Sequence, residues 1–163
     1  MAVTIGGLAM SMILVLLGAR MAAAPAPAPD LSRPGTPDQP REVNVILRDY
    51  VFNPGTLYLV AGETVQLNVI NGGLVDHEFV LGDAGQQRAW AAANADATPP
   101  AAFATARPAS VPPGTGGVRV LLAPGETESV TYEVPAGAEL EVMCHLPGHT
   151  ERGMIADVVL VER

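Results

Sequence analysis

Lysine is absent from this sequence, and nine arginines stand against 17 acidic residues, for a formal charge of −8. Phosphate binding needs a basic face, so that balance argues against nucleic acid as a partner. There is a single cysteine, Cys144, so no internal disulfide framework exists. The whole histidine supply is His77, His145 and His149, too few for an enzyme that needs several metal centres. Past the first residues no stretch carries a long apolar stripe at helical spacing, which argues against a helical bundle.

The chain opens with an uncharged apolar run from Ala2 to Ala19 followed by small residues. Residues 1–24 read as an export signal with Ala22 to Ala24 as the cleavage region. No arginine precedes the run and prolines follow from Pro25 onward, so an uncleaved membrane anchor through residues 2–19 is the alternative; 18 residues just span a bilayer. Either reading places the remainder outside the cytoplasm, in the periplasm or at the cell surface. Without the leader the balance is eight arginines against 17 acidic residues, or −9, and of six methionines only Met143 and Met154 remain. Residues 25–40, "PAPAPDLSRPGTPDQP", are Pro-rich without apolar periodicity and are expected to form an extended linker.

From Arg41 to the end, residues 41–163, the pattern becomes one of short runs at period two. Val43, Val45 and Leu47 share one face; so do Val65, Leu67 and Val69, and then Val130, Tyr132 and Val134. Gly- and Pro-containing turns separate them, as in "AGE", "NGG", "APGE" and "PAG". This spacing predicts an all-β domain, an antiparallel sandwich or barrel. Residues 82–117 interrupt the rhythm with twelve Ala, five Pro and five Gly among 36 residues. They read as an insertion loop in which "QQRAWAAANADA" forms a short helix before "TPP" stops it, with Trp90 packed onto the sandwich.

Strand parity decides which side chains meet. In "AELEVMCH" the acidic Glu139 and Glu141 face water, which turns Leu140, Val142 and Cys144 inward and Met143 and His145 outward. In "MIADVVLVE" Asp157 marks the outer face and Met154 points in; in "HEFVL" Glu78 marks the outer face and His77 points in. His149 lies in "LPGHTERG", where Pro147 and Gly148 set a tight turn. Taken singly, His77 is most economically a hydrogen-bonded core residue, Cys144 a small hydrophobe and Met154 core packing. Together, a histidine five residues after the cysteine, a methionine five further on and an upstream inward histidine are two imidazoles, a thiolate and a weak thioether. That donor set suits a blue-copper electron-transfer site, because mixed borderline and soft ligands accept both copper oxidation states.

At these residues the chain resembles the cupredoxins, the blue copper proteins related to plastocyanin, azurin and rusticyanin. The resemblance spans residues 42–162 and rests on "FNPGTLYLVAGETVQLNVINGG", "HEF" and the C-x4-H-x4-M loop. It implies a Greek-key β-sandwich with one copper ion at one end, held equatorially by His77, Cys144 and His149 and axially by Met154. It implies single-electron shuttling between redox proteins such as cytochromes or oxidases, by a monomer that is not itself an enzyme. His149 is then the expected electron port. His145 is a second candidate by its likeness to the Cys-His route of multicopper oxidases, although its parity favours an ordinary exposed histidine. Where many cupredoxins carry Asn or Ser straight after the upstream histidine, this chain has Glu78, and the 82–117 insertion has no counterpart in small members.

Two rivals remain in view. A periplasmic copper carrier or metallochaperone generally uses a Met-rich or paired-Cys Cu(I) site, and one cysteine with two methionines supplies little for it. A zinc site could draw on the same ligands, but a lone thiolate with an axial methionine suits copper better.

Overall fold

The computed structural model describes residues 29–96 and 109–162. The proposed leader and the Ala/Pro-rich centre of the insertion lie outside them. Nine strands and one helix follow in order: β1 (Arg41–Arg48), β2 (Val51–Asn53), β3 (Thr56–Val60), β4 (Thr64–Asn71), β5 (His77–Gly82), α1 (Ala84–Asp96), β6 (Val118–Leu122), β7 (Thr127–Glu133), β8 (Glu141–Met143) and β9 (Ile155–Val161). They form a four-stranded sheet of order β2-β1-β4-β7 and a five-stranded sheet of order β3-β9-β8-β5-β6. The chain passes from one sheet to the other between β2 and β3, β3 and β4, β4 and β5, β6 and β7, and β7 and β8, which makes the Greek-key sandwich.

The alternation seen in the sequence is what closes the core. Val45, Leu47, Val65, Leu67 and Val69 of one sheet and Phe79, Leu81, Val142 and Ala156 of the other are buried between the layers. Phe52 and Phe79 meet edge to face across the sheets, with ring centroids 6.2 Å apart. Such contacts add to the area term that favours closing the layers.

Two expectations need correction. The sheets are mixed, not antiparallel throughout: β1 runs parallel to β4, and β3 parallel to β9. Parallel neighbours need a long crossover, and the repeated passage between sheets provides it. The linker is not an extended tether up to residue 40, because Gly35 accepts from Thr64 N at 3.0 Å and its own N–H meets Glu63 Oε2 at 3.2 Å. The short helix expected in the insertion is present as α1, 13 residues long. This helix has no apolar stripe and docks through polar side chains: Gln87 Nε2 donates to Val80 O at 3.1 Å and Glu141 O at 2.8 Å.

Candidate metal centre

One end of the sandwich gathers three connections: the β1–β2 turn, the β4–β5 loop and the loop from Cys144 to Met154. Each holds its functional side chain by backbone geometry written in the sequence. In the last loop, Leu146, Pro147, Gly148 and His149 make the expected tight turn, with His149 N on Leu146 O at 3.0 Å and Gly148 at φ +81°. A positive φ at the third turn position is what glycine permits. Met154 N then donates to His149 O at 3.1 Å and Cys144 N to Met154 O at 3.2 Å, so the three residues are laced to each other. Thr150 Oγ1 adds a bond to Cys144 O at 2.6 Å.

In the β4–β5 loop, the buried Asn71 side chain accepts from Gly73 N at 2.9 Å and donates to Val75 O and Leu122 O, both at 2.9 Å. Asp49 of the β1–β2 turn accepts from Leu74 N at 2.8 Å and sits 3.2 Å from His77 Nε2. A Cβ at Gly73 would stand 2.5 Å from Asp49 Oδ1 and 2.7 Å from His77 Nε2, so any side chain there would displace that pair. The Leu74 bond holds the Asp49 carboxyl below the usual range, and His77 assists. A carboxylate on Nε2 fixes the tautomer that leaves Nδ1 of His77 as the lone-pair donor.

That Nδ1 faces His149 Nδ1 at 3.3 Å, and His149 Nδ1 lies 3.3 Å from Cys144 Sγ. All three donor atoms fall within 4.8 Å of one another. Ligands bound to one first-row ion at about 2.0–2.3 Å in a trigonal plane stand about 3.5–3.8 Å apart, so the present spacing accommodates an ion with little movement. His77, Cys144 and Met154 are wholly buried, as strand parity requires, while His149 is half-buried. The donor chemistry therefore fits copper: two imidazoles, one thiol and a thioether-bearing side chain in an apolar core. Burial pushes the Cys144 thiol up to about 11, against hydrogen bonds from the Glu78 and Leu146 N–H groups that pull it down. Burial likewise lowers His149, and the neighbouring His77 and Arg152 lower it further. A metal ion would find the imidazole deprotonated and would have to displace the thiol proton.

The structure corrects two parity assignments beside the site. Glu78 does not mark a solvent face; it is fully buried, and every residue of β5 is covered. The reason is α1, which lies over the outer side of β5, a cover that period-two alternation cannot foresee. Glu78 pairs with Arg119 of β6, accepts from Asn94 Nδ2 at 3.0 Å and from His145 N at 3.1 Å. Nor is His145 an exposed histidine: it is half-buried, with Nε2 2.8 Å from Gln87 Oε1. Desolvation lowers its pKa, with Glu78 opposing. Between α1 and the ligand loop runs a groove of about 480 Å³ bordered by Arg88, Asn94, Met143, His145 and Glu151. Trp90 does pack onto the sandwich, its ring 4.7 Å from the Arg119 guanidinium carbon.

Sequence reasoning also passed over Tyr50, whose φ of +65° is uncommon for a bulky residue. The conformation brings its ring edge-on to His149, with centroids 5.0 Å apart, and under Arg152 at 4.3 Å. No motif in "RDYVF" signals that role; the position becomes visible only when the two loops meet.

No family model matches the chain. Among curated proteins it is 33% identical over 121 residues to the copper-resistant cuproprotein CopI of Rubrivivax gelatinosus, covering 74% of this chain and 66% of that one. It is 28% identical to the protein of the same name from Pseudomonas aeruginosa, over 90% of this chain and 91% of the relative. Among solved structures, auracyanin B superposes with a TM-score of 0.59 at 27% identity, over 78% of this chain and 97% of that chain. Auracyanin A, a "blue" copper protein of Chloroflexus aurantiacus, does so with a TM-score of 0.55 at 25% identity, over 74% of this chain and 99% of that chain. Fold, loop spacing and converged donor atoms agree with these likenesses: the chain belongs to the cupredoxins, the type 1 blue copper protein family.

Proposed function

We propose that this cupredoxin carries single electrons between redox proteins outside the cytoplasm. His77, Cys144 and His149 would hold one copper ion, with Met154 as a fourth, weaker ligand. The observation that carries the reading is the convergence of His77 Nδ1, Cys144 Sγ and His149 Nδ1 within 4.8 Å. Copper bound there supplies a Cu(II)/Cu(I) couple, and the chain's part is to keep both states in one geometry. The laced loop and the Asp49 bond to His77 restrain the donors, which keeps reorganisation small. Half-buried His149, edge-on to Tyr50, is the route outward. The protein is not itself an enzyme: His145 is engaged with Gln87, and no further histidine remains for a second centre. It acts as a monomer on cytochromes or oxidases, held in the periplasm or at the surface by the fate of its leader. Among the described residues no helix is long and apolar enough to cross a membrane.

A second reading has one observation in its favour. The two relatives named above are called copper-resistant cuproproteins, so a role in copper handling comes within reach. Electron and copper carriers differ in what they retain. The electron carrier gives reversible one-electron voltammetry and keeps copper in both states against a moderate Cu(I) chelator. If reduction passes the metal readily to the chelator, the copper-handling reading replaces it. Loading with Cu(II) gives an intense thiolate charge-transfer band, which Cys144→Ser abolishes; a colourless loaded protein would defeat both the ligand set and the copper type.

A further inference from the structure

The residue after the upstream histidine has a buried carboxylate side chain, and its surroundings are built around it. Glu78 is inaccessible to solvent, and its carboxylate meets three separate elements: Arg119 on β6, Asn94 on α1 and the backbone N–H of His145. Arg119 is sandwiched in turn, with Trp90 of α1 on its other side. On the backbone side, Glu78 N donates to Cys144 Sγ at 3.4 Å. One residue thus joins the strand that bears His77 to the segment that bears Cys144. A buried carboxylate loses its hydration and persists only when paired and fully hydrogen-bonded. Here it is both, and one of its three partners, Asn94, comes from the insertion.

We infer that Glu78 and Arg119 are positioning residues of the metal centre: an ion pair, seated under α1, that locks the His77 and Cys144 segments together and balances opposite charges beside the copper. The inference rests on the copper reading above. It gives the helix a task that the small, insertion-free sandwich does not show, namely covering an ion pair from water so that its field reaches the site at low dielectric. The two charges act on Cys144 in opposite senses, Glu78 raising the thiol and Arg119 lowering it. The same opposition applies to the copper, because Cu(II) carries one more positive charge than Cu(I). An unbalanced anion nearby favours Cu(II), and an unbalanced cation favours Cu(I).

Reduction potentials of the loaded full-length protein test this with signs alone. Glu78→Gln leaves Arg119 unbalanced and raises the potential; Arg119→Met leaves Glu78 unbalanced and lowers it. The double variant, Glu78→Gln with Arg119→Met, returns toward the parent value. A merely structural role would move both single variants in the same direction through loosening, and that result, or no shift in either, overturns the inference. Should the single variants fail to fold, the unaltered copper-free protein decides. The His145 amide should exchange with solvent as slowly as the core strand amides, since it is donated to a carboxylate under α1; exchange at the rate of an open loop overturns the pair. This last measurement needs no copper. A protein that forms no thiolate band but protects His145 would therefore lose the copper reading and keep the pair, whereas a blue protein with an unprotected His145 would lose the pair alone.

Discussion

Cys144 is held as a neutral thiol, wholly buried, with its pKa pushed up to about 11 chiefly by desolvation. A group raised in the folded state stabilises it fully below the ordinary value of 9.0, and the contribution fades as the pH climbs toward 11. Copper binding must expel that proton. At pH 8, above the ordinary histidine range of about 6.5, uptake of Cu(II) should release about one proton per ion. Calorimetry in buffers of different ionisation heat counts it, and a count near zero would mean that the thiolate preexists. Apparent affinity should accordingly rise about tenfold per pH unit up to the thiol pKa. A second expectation concerns the two methionines. Met154→Leu should retain copper and raise the potential, since a weak donor to Cu(II) is lost. Met143→Leu, on the groove side beneath α1, should leave the potential close to the parent. Voltammetry of the two variants distinguishes them, and exchanged behaviour would contradict the strand register.

At the scale of elements, the two sheets are fastened to each other by one carboxylate. Glu63, buried at the turn before β4, accepts from Arg41 Nε of β1 at 2.9 Å, Val60 N of β3 at 2.8 Å and Gly35 N at 3.2 Å. Burial pushes its pKa up, but the Arg41 guanidinium and the two N–H bonds outweigh this and hold it below the usual value. A depressed carboxylate stabilises the fold above its ordinary pKa, and the contribution is lost as the pH falls through the folded value. Glu63→Gln leaves Arg41 without its counter-charge. Because Arg41 is partly exposed, the cost should be about 2 kcal/mol, below the roughly 3–5 of a fully buried broken pair. Urea denaturation at pH 7 reads that difference, which should shrink in acid as the parent carboxylate takes up its proton. An undiminished difference in acid would assign the loss to shape and not to charge.

For the whole molecule the deciding quantity is charge. With nine arginines against 17 acidic residues, the field around the protein is negative at neutral pH. A partner with a basic face would be steered toward it, and salt would screen the attraction over a Debye length of about 8 Å at physiological ionic strength. Electron transfer to such a redox protein should therefore slow as salt rises, as stopped-flow mixing across an ionic-strength series would show. A rate indifferent to salt would leave docking to apolar contacts, for which Leu74, 85% exposed in the loop before His77, and the groove beside α1 offer surfaces among the described residues.

Much of this architecture was legible in the sequence because it rests on local periodicity. Alternation in the runs around Val45, Leu67 and Val142 determined which side chains face the core, and the same parity turned His77, Cys144 and Met154 inward. The turn at Pro147 and Gly148 follows from fixed φ on one residue and positive φ on the next. What tertiary structure alone decided is whatever depends on a cover arriving from elsewhere in the chain. Period two tells only that Glu78 and His145 lie opposite the core; whether that side meets water or a helix depends on where α1 docks. This helix holds by Gln87 and Asn94 bonds to backbone and carboxylate rather than by an apolar stripe, so hydrophobic patterning carries no trace of it. Tyr50, Asp49 and Arg119 are invisible for the same reason. Their contacts to His149, His77 and Glu78 span scores of residues, and only the closing of the sandwich brings them together.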